Sequence, residues 1–277
     1  MTNKLGMNLL LWGVEMTDDI FPVLELIKET GYDAVEIPIM DINPKKWEKW
    51  SRKLEDLDLG CIVETINGPE LNAIDANQEV RKAALQFNKG VLDCAEVLGT
   101  HLFIGPIHSA LGVFSGNPAN QKELAWAKDN LWHLSEYASK KKVTLGLEYL
   151  NRFESYLVSC TDETLDLINA VNHPNCKMMF DTFHANIEEK RLPDAIKKIG
   201  DKLVHVQLSE NDRGTLGHGH VNFEEVISTL KEINYKGLIS VEAFSQKLVA
   251  ANIWRKMFDS EEQLTRDSFK YLKVLTR

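Results

Sequence analysis

Four cysteines in 277 residues, Cys61, Cys94, Cys160 and Cys176, are too scattered for a disulfide framework, and no two form the C-x-x-C pair of a zinc knuckle. They read as buried free thiols in a reducing compartment. Positive charge is also scarce: 32 Lys and Arg face 41 Asp and Glu, a formal charge of −9. The concentrated basic surface that phosphate backbones require is therefore missing, which sets DNA and RNA aside as partners. No apolar run reaches the ~18 residues of a membrane span, and MTNKLGMNLLLW lacks the ordered regions of a signal peptide. A cytoplasmic chain without a membrane partner is expected. Pro/Gly/Ser-rich linkers, low-complexity tracts and charge blocks are absent too, so one domain over residues 1–277 is expected.

What is present is alternation. Short aliphatic and β-branched runs at 5–12, 34–38, 61–65, 102–104, 144–148, 177–181, 203–208 and 238–241 read as strands. Amphipathic stretches at 20–30, 45–57, 78–98, 121–140, 163–171, 193–199, 223–233 and 261–275 read as helices. Repeated βα units close into a barrel or spread into an open doubly wound sheet. The open dinucleotide-binding version needs G-x-G-x-x-G after its first strand, and Trp12-Gly13-Val14-Glu15 stands there instead. The expectation is an α/β fold, a single (β/α)8 TIM barrel, for which 277 residues and 44% apolar content are ample. Asp75 with Gln78 and Asn222 with Glu225 have the spacing of helix-start capping pairs. Gly31, Gly60, Gly99 and Gly200 fall where left-handed helix ends suit glycine.

In such a barrel the chemistry sits at the C-terminal strand ends. There the fifth candidate strand offers Glu148, the sixth Asp181 with His184 just beyond, and the eighth Glu242. On the seventh, period-two alternation puts His205 and Gln207 on one face. Three carboxylates converging on one point repel each other unless a cation joins them. Oxygen-rich ligation with at most one nitrogen suits Mn2+, Mg2+ or Co2+ better than a thiolate-rich zinc site, though zinc also accepts such donors. Whether the fourth donor is imidazole or amide stays open at this level. Glu36, ending the second strand, is placed to line the mouth or to salt-bridge behind it.

LEYLNRFE, DTFHANIEE and VEAF, with weaker echoes in GPIHS and NIWR, resemble the ketose 3-epimerases, the D-tagatose 3-epimerase and D-psicose 3-epimerase group of the xylose-isomerase-like TIM barrels. The resemblance implies one divalent ion, Mn2+ first and Mg2+ or Co2+ next, held by Glu148, Asp181, Gln207 and Glu242. The family has His at the third of these positions, and the Gln here offers only a carbonyl oxygen. It implies substrate contacts at Glu154, His184 and Arg213. Apart from the resemblance, Trp12 and Phe183 offer apolar faces for a sugar's C–H surface, Phe183 fitting the core as well, and His108 is placed for a rim hydrogen bond or a substrate contact. The resemblance also implies a homodimer or homotetramer, and a small-molecule sugar as substrate. Moving hydrogen at a carbon beside a ketone needs two bases on opposite faces, and the resemblance assigns these to Glu148 and Glu242. Isomerase, dehydratase or lyase chemistry on a keto-sugar or keto-inositol begins with the same proton removal. A non-catalytic sugar-binding barrel stands as the remaining alternative.

Overall fold

Eight short runs of alternating residues close into one ring in the computed structural model, which describes residues 3–276. The strands are β1 (Leu5–Asn8), β2 (Ala34–Pro38), β3 (Gly60–Glu64), β4 (Leu102–Gly105), β5 (Thr144–Leu147), β6 (Cys176–Asp181), β7 (Leu203–Leu208) and β8 (Ile239–Val241). Each pairs in parallel with the next, and β8 pairs with β1. Around them lie α1 (Phe21–Thr30), α2 (Pro44–Asp56), α3 (Gln78–Leu98), α4 (Gln121–Lys140), α5 (Thr161–Val171), α6 (Thr182–Glu188), α7 (Leu192–Ile199), α8 (Phe223–Glu232) and α9 (Glu261–Leu275).

Strand alternation divides the apolar residues into two layers. Met7, Val35, Val63, Leu145, Phe180 and Val206 belong to the large core that the helices cover. Ile62, Ile104 and Met179 form a separate small cluster that plugs the barrel. On the helix side, α3 buries Ala84, Asn88, Val91, Ala95 and Leu98 at three- and four-residue spacing, one stripe of an amphipathic helix. Each fully buried Val or Leu contributes roughly 1.5–3 kcal/mol.

The helix starts hold two corrections. Asn77, not Asp75, caps α3 by accepting from Glu79 N; Asp75, two residues earlier, accepts from Asn77 N at 2.7 Å instead. Asn222 does cap α8 at Glu225 N. The reciprocal capping box is at Asn120 and Glu123. Gly31 and Gly99 are left-handed helix ends, and Gly200 has φ +57 beyond α7. Gly60 is no cap: it begins β3, and Asp58 takes the positive φ. β1 is shorter than expected because the Asn8 side chain accepts from Leu10 N (2.8 Å) and turns Leu9–Trp12 into a 3-10 turn. The extra helix α6, capped by Asp181, has seven residues, too few for a legible period.

All four cysteines are free, and burial pushes the thiols of Cys61, Cys94 and Cys176 up to about 12, which leaves them inert. Among the described residues no helix is long and apolar enough to cross a membrane.

Candidate active site

The C-terminal strand ends surround a cavity of about 350 Å³. Its polar border includes Glu64, Glu148, Glu154, His184, Arg213 and Glu242, set among apolar side chains such as Leu10, Leu150 and Phe244. β5 and β8 lie three strands apart around the ring, so Glu148 and Glu242 enter the cavity from different sides.

Arg213 ties the cluster together. Its backbone is left-handed (φ +62), which swings the side chain inward, and its guanidinium lies between the rings of Phe183 (3.8 Å) and Phe244 (4.4 Å). It donates to Asp181 Oδ2 and Ser209 Oγ, both at 2.9 Å, and to Glu242 Oε2. Burial works against its charge, but Glu242 and Asp181 outweigh that and hold its pKa above the ordinary value. The loop carrying it is braced by buried Glu210, whose carboxylate accepts from Gly217 N at 2.8 Å.

Burial, then the charge of Glu242 and Asp181, raises the pKa of Glu148 well above its usual range. Glu242 is raised likewise by burial, against the pull of Arg213, and Asp181 is raised by burial less the effect of the same arginine. Burial and the neighbouring Arg213 push His184 well below its usual value, so its ring is neutral. Its Nδ1 accepts from Asn151 N at 3.1 Å, and its Nε2 lies 3.5 Å from both Glu148 Oε1 and Asp181 Oδ2.

These residues fit a divalent ion. Glu148, Asp181 and His184 present donor atoms within 4.8 Å of one another. Gln207 pairs in register with Asp181 on the adjacent strand, and its carbonyl oxygen is buried without a partner. Crowded carboxyls with raised pKa values are what a cation would relieve. His184, which the family resemblance reads as a substrate contact, is thus also within reach of an ion, while Gln207 and Glu242 have protein partners.

Those partners form a buried floor. Glu36 on β2 accepts from His205 Nε2 at 2.5 Å and from Gln207 Nε2 at 2.7 Å, both on β7, and contact across the ring is possible only through the barrel interior. Asn8 Nδ2 joins Glu36 (2.7 Å), Glu64 (3.1 Å) and Glu242 (3.2 Å). Glu36 is therefore a support beneath the mouth rather than part of its rim.

Not every expected residue reaches the cavity. Trp12 closes the 3-10 turn after β1 and borders an outer groove beside Pro22 and Glu262, because the turn directs it away from the mouth. His108 is fully buried, pairs through Nδ1 with Ser109 Oγ (2.9 Å), and does not border the cavity. Phe183 does not border the cavity either; its ring packs on the Arg213 guanidinium. Glu154 borders the cavity and is held by Asn151 Nδ2 at 2.8 Å. Glu64 and Asn67 also border it and were missed. The strand-end rule applied to the last four strands would have found Glu64 on β3; nothing marked Asn67.

Against known proteins, the family model described as Xylose isomerase-like TIM barrel matches residues 24–275. The chain is 31% identical to the D-psicose 3-epimerase of Enterocloster bolteae, over 96% of this chain and 92% of that one. It is 30% identical to the ketose 3-epimerase of Arthrobacter globiformis, over 94% and 92%. The crystal structure of a Methylomonas sp. D-allulose 3-epimerase in complex with D-allulose superposes with a TM-score of 0.93 at 25% identity, over 99% of this chain and 97% of that one. With its closed eight-stranded barrel, acidic mouth and relatives that are carbohydrate epimerases of the isomerase class, the chain belongs to the xylose isomerase-like TIM barrel family, on the ketose 3-epimerase side of it.

Proposed function

We propose that this chain, as one domain over residues 1–277, epimerises a neutral ketose at C3. The observation that carries the reading is the pair of buried glutamates, Glu148 and Glu242, entering one cavity from different sides, with Arg213 bonded to Glu242. Burial raises both pKa values, helped by Glu242 and Asp181 at Glu148 and by Asp181 and Glu36 at Glu242, which favours a pair in which one glutamate donates a proton while the other accepts one. Glu242 and Glu148 then exchange hydrogen with C3 on opposite faces. Arg213 and the neutral His184 hydrogen-bond the oxygens near C1 to C3, and Glu154 orients the C1 end.

Glu148, Asp181, Gln207 and Glu242, with His184 adjacent, are the residues that would hold a divalent ion, Mn2+ before Mg2+ or Co2+. When bound, such an ion stabilises negative charge that builds on the ketose oxygens. Among the described residues bordering the cavity, Arg213 is the only Arg or Lys, and it is already engaged by Asp181 and Glu242. A sugar phosphate would meet carboxyl groups without a free Arg or Lys side chain, which favours an unphosphorylated substrate. Cytoplasmic location and a homodimer or homotetramer complete the proposal; exposed Phe153 (73%) and Trp254 (83%) give a partner subunit apolar surface to cover.

The test is turnover of free ketoses and ketose phosphates by Mn2+-loaded protein in deuterated water, read by NMR. Deuterium at C3 of an epimerised free ketose is expected. Epimer formed without label sinks proton exchange through the two glutamates, and turnover of the phosphates alone sinks the neutral-substrate reading.

A further inference from the structure

The wall of the cavity built by the end of β3 and the turn beyond it carries polar atoms with nothing to bind. Glu64 is 5% exposed; its Oε2 accepts from Asn8 Nδ2 at 3.1 Å, while its Oε1 is buried without a partner. Asn67 is fully buried, and neither its Nδ2 nor its Oδ1 has a partner. Both residues border the mouth cavity, beside Ile66, Pro69 and Leu111, which supply no side-chain hydrogen bond. Nearly all buried polar groups in folded proteins are paired, and each orphan costs free energy. Three orphaned atoms on one wall of one cavity therefore point to a ligand that completes them.

We propose that Glu64 and Asn67 form a subsite that reads hydroxyl groups on the part of a ketose remote from its carbonyl, and so set which sugars the cavity accepts. The proposal rests on the reading of this cavity as a ketose site. The cluster that would face the reacting carbons sits at β5, β6 and β8, whereas Glu64 and Asn67 come from β3, displaced around the ring. One hydroxyl hydrogen-bonds Glu64 Oε1 and accepts from Asn67 Nδ2, and a neighbouring hydroxyl donates to Asn67 Oδ1. A deoxy analogue leaves these atoms unpaired among apolar neighbours, and sites built to bind a hydroxyl reject such analogues strongly.

The test is calorimetric binding to Mn2+-loaded protein of a panel of ketohexoses and the 4-, 5- and 6-deoxy counterparts of the tightest binder. Wild type is expected to bind the parent sugar at least about tenfold more tightly than one of its deoxy forms, the loss that a stranded buried polar atom produces. Asn67→Leu, similar in size but without polar atoms, should bring the two affinities within about threefold, whereas Glu64→Gln, which keeps a hydrogen-bonding head, should preserve the preference. Because each comparison is a ratio within one preparation, a partly misfolded variant does not mimic the effect. Equal wild-type affinity for parent and every deoxy form overturns the subsite, as does binding of no sugar in the panel or a full preference in Asn67→Leu. Hydroxyl discrimination without C3 exchange would sink the epimerase reading and leave the subsite standing.

Discussion

Glu36 gives the sharpest test of the floor beneath the mouth. It accepts three hydrogen bonds, from His205 Nε2 on Oε1 and from Gln207 Nε2 and Asn8 Nδ2 on Oε2. Glu36→Gln keeps the shape and turns one oxygen into a donor. At the Oε2 position the new NH2 would oppose two donors at 2.7 Å; at Oε1 it opposes only His205. The second arrangement costs less, and it forces the His205 proton onto Nδ1, which is buried with no acceptor. One stranded buried donor costs roughly 1–3 kcal/mol, and trading two charge-assisted bonds for neutral ones adds about 1 kcal/mol, so a loss of roughly 2–4 kcal/mol is expected. Glu36→Leu strands the His205 and Gln207 donors, while Asn8 keeps Glu64 and Glu242, and should cost roughly 2–6 kcal/mol.

The two variants differ in what they do to Gln207. Glu36→Gln still offers an oxygen to Gln207 Nε2, so the amide keeps its carbonyl turned away from Glu36, and Mn2+ affinity should stay within about threefold of wild type. Glu36→Leu releases the amide, and affinity should fall roughly 10–100-fold, the usual consequence of losing a group that orients a metal ligand. Urea unfolding in chelator isolates the stability effect from metal linkage, and calorimetric Mn2+ titration supplies the second readout. Glu36→Gln within about 0.5 kcal/mol of wild type would refute the hydrogen-bond reasoning. Unchanged Mn2+ affinity in Glu36→Leu would refute the orienting role.

Gln207→His should donate one ring N–H to Glu36 and offer the other nitrogen to an ion, shifting preference toward Co2+ and Mn2+ over Mg2+ by roughly tenfold or more; competitive metal titration checks this. His108, whose burial lowers its pKa from 6.5 to about 4, refuses a proton that the unfolded chain accepts. Its contribution to stability is thus intact above about pH 6.5 and lost as pH falls toward 4, amounting to about 2 kcal/mol between pH 7 and pH 5. Paired urea curves at those pH values should show that fall in wild type and a correspondingly smaller one in His108→Gln.

The ring itself was legible because each strand and helix leaves a local signature. β2, β7, α3, α4 and α9 lie where alternation and amphipathic period put them; of the residues named by the strand-end rule, Glu148, His184 and Glu242 border one cavity, as does Arg213 from the family motif, and Asp181 is tied to them through Arg213. What stayed hidden depends on distant residues or on turns of a few atoms. The pairing of Glu36 with His205 and Gln207 spans 169 and 171 residues, and nothing local announces it. Trp12 missed the mouth because a single side-chain cap by Asn8 ended β1 four residues earlier than alternation implied. Asn67 lies in a turn with no period, where only three-dimensional placement shows that its amide is stranded.

Buried acidic residues are not confined to the last four strands. Repulsion among Glu148, Asp181 and Glu242 calls for a cation, and the interior also holds Glu36 and Glu64: burial first, then Glu36 and Glu242, raises the pKa of Glu64. Against this stands one buried guanidinium, Arg213. A barrel folding for stability alone would fill these inward positions with aliphatic side chains like the Ile62, Ile104 and Met179 plug just below. Keeping acids there leaves a charge imbalance that only retained protons, hydrogen-bond donors or a bound cation can relieve. Asn8, His205 and Gln207 supply donors to Glu36, so that carboxylate is satisfied from within, whereas the rim at Glu148 and Asp181 has Arg213, the Phe183 backbone N–H and a neutral His184. The unrelieved part of the imbalance thus sits at the rim, beside the cavity, where an ion and a substrate can reach it.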